Sequence, residues 1–183
     1  MERNFMKVGS EITTIGPWVK GSNIHNMDDP DLYRFPIAYL SEPGYWEIND
    51  DEAKSLREYL QKGGFLIVDD FMGPREWDNF EEQMLHVLPG ARFVDLDAAH
   101  PIFHSFFEIN DLDIIPQYYD VGKPIFRGVF ENNDPAKRLL LMVNFNTDIS
   151  EYWEFSGTGL SPISETNEAY KLGVNYVIYG MTH

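Results

Sequence analysis

The stretch NDDEAKSLREYLQKGGFLIVDD, from Asn49 to Asp70, decides the fold class of this chain. Asn49 followed three residues later by Glu52 is the pattern of a capping box, which predicts the start of a helix. That helix carries one apolar stripe and ends at the glycine pair Gly63-Gly64. The run from Phe65 to Val68 is apolar without interruption, as expected of a strand that is covered on both faces. A helix, a glycine turn and a doubly buried strand together predict a parallel sheet with helices on both faces.

Similar patterns lie on either side of this stretch. The run Phe35 to Leu40 predicts another buried strand, and Phe93 to Leu96 predicts a third strand after a second helix. Two further runs, Ile125 to Phe130 and Arg138 to Phe145, predict an antiparallel hairpin, and a last helix closes the chain. These elements predict a single α/β domain over residues 1–183 with a three-layer, mostly parallel open sheet of flavodoxin-like form.

The N-terminus departs from that plan, because the chain opens in a helix where a doubly wound sheet usually begins with a strand. The stripe that predicts this helix consists of Phe5, Val8, Ile12 and Ile15. We therefore expect the strand position beside this helix to be empty or filled from elsewhere. An open edge favours pairing with another molecule, which predicts a homodimer or a native protein longer than this chain. The alternative is that the segment from Gly16 to Ile24 supplies the strand.

Composition and charge exclude several classes of chemistry. The chain has no cysteine, so disulfides, thiolate nucleophiles and thiolate-bound metals are absent. Its net charge of −16 disfavours nucleic acid as a partner. The longest apolar run, Leu139 to Val143, is too short to span a membrane, and no leader-like segment opens the sequence. The charge either serves solubility alone or helps to collect a cation or a basic ligand.

Most distinctive polar residues follow predicted strands, where ligands bind in open α/β sheets. They are Glu42, Tyr45, Asp69, Asp70, His100, Asn144, Asn146 and Asp148. Asp69-Asp70 is a candidate metal-binding or acid/base pair, because adjacent carboxylates hold hard cations and shift each other's pKa. The alternative for this pair is that one acid caps a helix or turn while the other is solvated.

His100 and Trp153 complete the candidate site. His100 would be a general base or a ligand facing Asp70, with Asp148 as the third member of a catalytic group; the alternative is a buried structural histidine. Trp153, with Glu154 beside it, would close over a ligand; the alternative is a packed loop. The glycine pair Gly63-Gly64 precedes a strand and so forms no phosphate loop, and no Gly-x-Ser-x-Gly elbow is present.

Five stretches of the chain resemble one family. They are Phe35–Leu40, Leu56–Asp70, His100–Phe103, Asp148 with Trp153-Glu154, and Leu172–Tyr179. Together they are similar to the bacterial domain of unknown function DUF4159 over nearly the whole chain. The resemblance implies a fold like that of class I glutamine amidotransferases. Covalent thioester chemistry is not expected, since that chemistry needs a cysteine.

The resemblance also bears on compartment and role. Family members usually carry a strand before the first helix, often after an export signal or a membrane anchor, which implies an exported or periplasmic protein. If Met1 is the true start, the cytoplasm is expected instead. The first hypothesis for function is a ligand- or partner-binding module of an envelope-associated system. The second is a carboxylate- and histidine-based hydrolase at the carboxyl edge of the sheet, with a divalent cation as cofactor.

Overall fold

The structure is a computed structural model that describes residues 2–14, 16, 23–113 and 122–183. Within these residues five strands and five α-helices form. The strands are β1 (Ile37–Ser41), β2 (Phe65–Asp69), β3 (Val94–Asp95), β4 (Ile125–Phe130) and β5 (Leu139–Phe145). The helices are α1 (Glu2–Ile12), α2 (Asp50–Gln61), α3 (Gly73–Val87), α4 (Ile149–Glu154) and α5 (Ile163–Thr182). None of these helices combines the length and the apolar character that crossing a membrane requires.

The strands form one open sheet in the order β1-β2-β5-β4-β3. β1, β2 and β5 run parallel to each other, so their carboxyl ends lie side by side. β4 runs antiparallel to β5, and β3 antiparallel to β4. The predicted α/β fold with a parallel core and an antiparallel hairpin is therefore confirmed, and three neighbouring strands end at the same edge.

The core has two halves because side chains alternate along the strands. Phe65 and Ile67 of β2 pack into a cluster with residues of α1, α4 and α5. Leu66 and Val68 point the other way and pack with residues of α2 and α3. All five residues of β2 are buried, as the uninterrupted apolar run predicts. The sheet is thus the middle layer of three, with helices on both faces.

The stretch from Asn49 to Asp70 forms the helix and the strand that were predicted for it. The Asn49 side chain accepts hydrogen bonds from the backbone N–H groups of Asp51 and Glu52, and the Glu52 carboxylate accepts from the Asn49 N–H at 3.1 Å. This capping box begins α2. At the other end Gly64 must be glycine, because a Cβ there would lie 2.4 Å from the ring of Tyr59. The chain therefore turns tightly from α2 into β2.

The N-terminal helix packs on helices α4 and α5, with Phe5 against the ring of Trp153 at a centroid distance of 4.5 Å. Ile15 of the predicted stripe lies outside the described residues. On its outer side β1 pairs with no strand formed by the part of the chain that is described. Residues 17–22 also lie outside it, so the alternative of a strand between Gly16 and Ile24 stays untested, and the dimer stays a prediction.

Residues 100–113 contain one short 3-10 helix, Pro101–His104, and no strand or α-helix. The strand predicted from Phe93 to Leu96 shortens to the two residues of β3. No sequence pattern indicated α4, which is only six residues long.

Candidate functional site

Three neighbouring strand ends shape the candidate site. The residues that follow β1, β2 and β5 are Glu42, Asp70 and Asn146, and all three have a left-handed backbone, with φ of 54°, 64° and 58°. Aspartate and asparagine tolerate this conformation better than glutamate does. The two loops after β2 and β5 are joined by backbone hydrogen bonds from Asp70 to Thr147 at 3.2 Å and from Asn146 to Phe71 at 3.0 Å. We call the group Ser41, Glu42, Asp70 and Asp148 the acidic edge.

Behind the acidic edge lies Asp69, whose carboxyl group is completely buried. It accepts hydrogen bonds from the Tyr39 hydroxyl at 2.5 Å and from the side-chain nitrogen (Nδ2) of Asn144 at 3.0 Å. It also accepts from the first two backbone N–H groups of α4, those of Ile149 at 3.4 Å and Ser150 at 3.1 Å. Asp69 therefore fixes the start of α4 against the ends of the parallel strands.

The network continues across the core. The hydroxyl of Tyr176 on α5 donates to the side-chain oxygen (Oδ1) of Asn144 at 2.9 Å, and both residues are fully buried. One chain of hydrogen bonds thus links α5 through Asn144 to Asp69 and α4. Buried polar groups of this kind specify one arrangement of the elements, because each unpaired group would be costly.

Burial raises the pKa of Asp69 to about 8, with repulsion from Asp148 as the second cause; the hydrogen bonds from Tyr39, Asn144 and Ser150 oppose the rise. Burial and the Asp69 carboxylate raise the pKa of Tyr39 well above its usual range. The same two causes raise the pKa of Tyr176. Asp69 therefore keeps its proton near neutral pH, and the buried network carries no net charge there.

Asp70 is the half-buried carboxyl group of the acidic edge. It accepts a hydrogen bond from the Ser41 hydroxyl at 3.2 Å. The pKa of Asp70 is raised to about 7. Burial is the largest cause and repulsion from Asp148 is the second; the charge of Glu42 and a hydrogen bond to the Asp148 side chain also raise it. Two carboxyl groups can share a hydrogen bond only if one of them is protonated. Asp70 therefore changes its charge close to neutral pH.

Asp148 is placed by its role as the N-cap of α4. Its carboxylate accepts from the Glu151 N–H at 2.8 Å and from the Ser150 hydroxyl at 2.7 Å. Asp148 thus lies beside Asp70, as the sequence analysis expected. Burial, and then repulsion from Asp148, raises the pKa of Glu151 as well. The charge of Asp148 therefore disfavours ionisation of the two carboxyl groups beside it, those of Asp70 and Glu151.

The expected metal pair Asp69-Asp70 does not form, because both oxygens of Asp69 already accept hydrogen bonds inside the core. A side chain with no exposed surface also cannot contact a ligand, which corrects the prediction for Asp69. Among the residues that the structure describes, no group of three or more His, Asp or Glu side chains is arranged to hold a metal ion. The acid/base role of Asp70 and Asp148 stays a prediction.

The remaining predicted ligand residues lie at the same edge but differ in what they can contact. Glu42 is exposed, and its N–H donates to the Asp69 carbonyl at 3.2 Å. Tyr45 is 72% exposed on the short turn after β1. Asn146 is buried, and its side-chain oxygen accepts from the Gly73 N–H at 2.9 Å. Glu42 and Tyr45 are therefore accessible, whereas Asn146 holds the start of α3.

His100 lies at the opposite end of the sheet, which corrects the expected catalytic group. Its ring packs on Phe130 and Tyr179, at centroid distances of 5.9 and 6.0 Å. Phe130 pairs with Leu139, the first residue of β5, whereas Asp148 follows the last. The seven residues of β5 separate the two ends by about 20 Å. The error arose because the chain crosses to the amino edge of the sheet after β3.

The environment of His100 fits the structural alternative. Its Nδ1 accepts from the Ile102 N–H at 3.3 Å and so caps the short 3-10 helix that follows. Burial lowers the pKa of His100, and no described carboxylate forms an ion pair with it. It is a packed, hydrogen-bonded histidine.

Trp153 is also a core residue and does not close over a ligand. It is 4% exposed and packs between Phe5 of α1 and Tyr39 of β1, at centroid distances of 4.5 and 6.0 Å. The reason is α4: this helix turns Trp153 inward, while Glu154 stays exposed. The prediction that Trp153 closes over a ligand assumed that it lies on a loop and can move toward the ligand.

Three residues of the site and its buried network were not predicted from the sequence: Ser41, Tyr39 and Tyr176. Ser41 gave a usable signal, because it directly follows the predicted strand from Phe35 to Leu40 and lies beside Glu42. Tyr39 and Tyr176 gave none, since a tyrosine in an apolar run or helical stripe looks the same whether or not its hydroxyl meets a buried carboxyl.

Comparison with known families matches residues 1–181 to a family described as a domain of unknown function, DUF4159. No curated protein matches the chain.

Proposed function

Since the chain belongs to the DUF4159 family, whose description assigns no activity, we propose from its geometry that it is a binding module. The acidic edge at the ends of β1, β2 and β5 binds a cationic group of a small ligand or of a partner protein. The observation that carries this proposal is the pair Asp70 and Asp148, half-buried at the edge where open α/β sheets bind ligands.

The charges around Asp70 support a cationic ligand. The side chains that act on its carboxyl group are those of Ser41, Glu42 and Asp148, and no Lys or Arg of the described residues forms an ion pair with Asp70. An ammonium or guanidinium group beside Asp70 would stabilise the ionised carboxylate and relieve its repulsion with Asp148. The net charge of −16 adds a long-range attraction for cations.

Binding is favoured over hydrolysis because the histidine of the hydrolase hypothesis is at the other end of the sheet. A general base must lie within hydrogen-bonding reach of the reacting group. The acidic edge offers two carboxyl groups and the Ser41 hydroxyl, which can hold a cation without further chemistry. We therefore place the hydrolase second.

The partner would belong to the bacterial envelope, as the family resemblance implies. This part of the proposal concerns location and is tested separately, by fractionation of cells that produce the protein from its native reading frame. Recovery in the cytosolic fraction alone would contradict it without affecting the binding site.

The binding proposal is tested with agmatine, which carries one ammonium and one guanidinium group, by titration calorimetry. The affinity should rise about tenfold between pH 6 and pH 8, because the ligand competes with the proton on Asp70, whose pKa is about 7. Asp70→Asn should weaken binding at pH 8 by at least about tenfold.

The matched control is Glu131→Gln, which removes an exposed acid from the connection between β4 and β5 at the other end of the sheet. Equal affinities for the parent, Asp70→Asn and Glu131→Gln would contradict the proposal. A parallel titration with Ca²⁺ distinguishes organic cations from a metal: tight binding of Ca²⁺ with none of agmatine would make the ligand a divalent ion.

A further inference from the structure

A second surface lies on the α5 face of the sheet. It is a groove with a volume of about 1200 Å³, bounded by α1, the segment 107–111, the loop 156–161 and the first half of α5. Thr166 and Tyr170 of α5 lie at its base, both only 9% exposed. Small-molecule pockets usually have volumes of about 300–1000 Å³, so this open groove has the size of a site for a segment of polypeptide.

The apolar stripe of α1 runs into this groove. Its first member, Phe5, is buried against Trp153, but Val8 is half-buried and Ile12 is 41% exposed. Val8 and Ile12 both line the groove. On the facing helix Ile163, the first residue of α5, is 79% exposed and lines it too. Two helices thus present apolar side chains to the groove: Ile12 and Ile163 are exposed, and Val8, one helical turn before Ile12, is half-buried.

The rim of the groove is acidic. Glu108, Asp111, Glu165 and Glu168 line it, against the single cation Lys171 among the described lining residues. Lys171 is already paired with Glu168 at 2.6 Å. An apolar groove with an acidic rim is complementary to a helix that has apolar residues on one side and Lys or Arg on the other.

We propose that this groove binds a basic amphipathic helix of a partner protein. The apolar side of that helix would contact Ile12 and Ile163, and its basic residues would pair with the acidic rim. A second copy of the chain is disfavoured as the occupant, because each copy carries a net charge of −16. An anionic membrane surface is disfavoured for the same reason.

The test uses a helical peptide of about 15 residues with Leu on one face and Lys on the other, labelled for fluorescence anisotropy. The full chain should bind it at about 50 mM salt, and binding should weaken strongly at about 500 mM as the charges are screened. The double variant Ile12→Ser/Ile163→Ser should weaken binding about tenfold or more at low salt. Both isoleucines are exposed, so this variant should fold.

The controls separate specific docking from attraction to an acidic protein. Leu85→Ser changes a comparably exposed residue of α3, on the other face of the sheet, and should leave the affinity unchanged. A peptide with Glu in place of Lys should not bind. Asp111→Asn with Glu165→Gln should weaken binding several-fold while keeping the side-chain oxygens that accept local hydrogen bonds.

Three results would overturn the proposal. The first is equal binding by the parent and the double isoleucine variant, which would mean non-specific charge attraction. The second is no binding by the full chain at low salt, which would mean that the groove does not accept a basic amphipathic helix. The third is a dimer in light scattering that Ile12→Ser/Ile163→Ser abolishes, which would make a second copy the occupant. Asp70→Asn should leave peptide binding intact, so this test does not depend on the acidic edge.

Discussion

Replacing Asp69 with asparagine should flatten the dependence of stability on pH, because Asp69 is the only buried carboxyl group among the described residues. Its pKa in the folded protein is about 8, against a usual value of 3.8. Between these two values the folded chain holds a proton that the unfolded chain has released. The stabilisation is therefore fully present below about pH 4 and is lost as the pH rises through about 8.

The magnitude follows from the same two values. In this window the folded chain binds one proton more than the unfolded chain, so each pH unit changes the free energy of unfolding by ~1.4 kcal/mol. From pH 5 to pH 9 the loss due to Asp69 is on the order of 4 kcal/mol, a large part of the total stability of a domain. Asp69→Asn cannot ionise, so this loss should be absent from the variant.

At low pH the variant should be the less stable protein. An amide group in place of the carboxyl leaves at least one N–H at the start of α4, such as that of Ser150, without its acceptor. A buried donor without a partner costs about 1–3 kcal/mol. The stability of the variant should therefore start lower at pH 5 and approach or pass that of the parent by pH 9.

Urea unfolding followed by tryptophan fluorescence at constant ionic strength measures both curves. Glu82→Gln, an exposed acid on α3, is the control and should keep the slope of the parent. Asp70 and Glu151 also have raised pKa values, so some slope remains in every variant and the difference between proteins is the measured quantity. If Asp69→Asn lost as much stability as the parent over this range, Asp69 would be ionised throughout and held so by its donors.

Three further outcomes are expected. Tyr176→Phe should lower the free energy of unfolding by about 1–3 kcal/mol in urea titrations, since it leaves the buried Asn144 oxygen without its donor, whereas Tyr170→Phe should change it little. Gly173→Ala should destabilise by about 1–3 kcal/mol, because its Cβ would lie 2.5 Å from a phenylalanine ring of α1. Gly9→Ala, with nothing within 4 Å of its Cβ, should instead stabilise by about 0.5–1 kcal/mol; a Gly173→Ala variant that is as stable as the Gly9→Ala variant would contradict the packing of α1 on α5. Light scattering over a range of concentrations should show a dimer if the outer side of β1 pairs with a second copy, and a strict monomer would exclude it.

The sequence determined the fold class because its decisive signals are local. The capping box at Asn49 and Glu52 and the close turn at Gly64 act within a few residues of each other. The apolar run of β2 indicates burial on both faces without any knowledge of its neighbours. The hairpin of β4 and β5 was equally predictable, since its two strands are adjacent in the chain.

Part of the candidate site followed from topology alone. Parallel strands end at one edge, so Glu42, Asp70 and Asp148 were expected to lie together, and they do. The chemical character of each carboxyl was not predictable, since a pKa depends on burial and on the charges that surround the group in space.

Only the tertiary structure decided which residues meet across the chain. His100 follows β3, which points in the same direction as β2, but the chain crosses to the amino edge of the sheet after β3, and the histidine therefore lies at the opposite edge from Asp70. Trp153 became a core residue because a helix of six residues, too short to show a periodic pattern, turned it inward. The link from Tyr176 through Asn144 to Asp69 spans more than a hundred positions of sequence, and hydrogen bonds between such distant residues leave no local pattern.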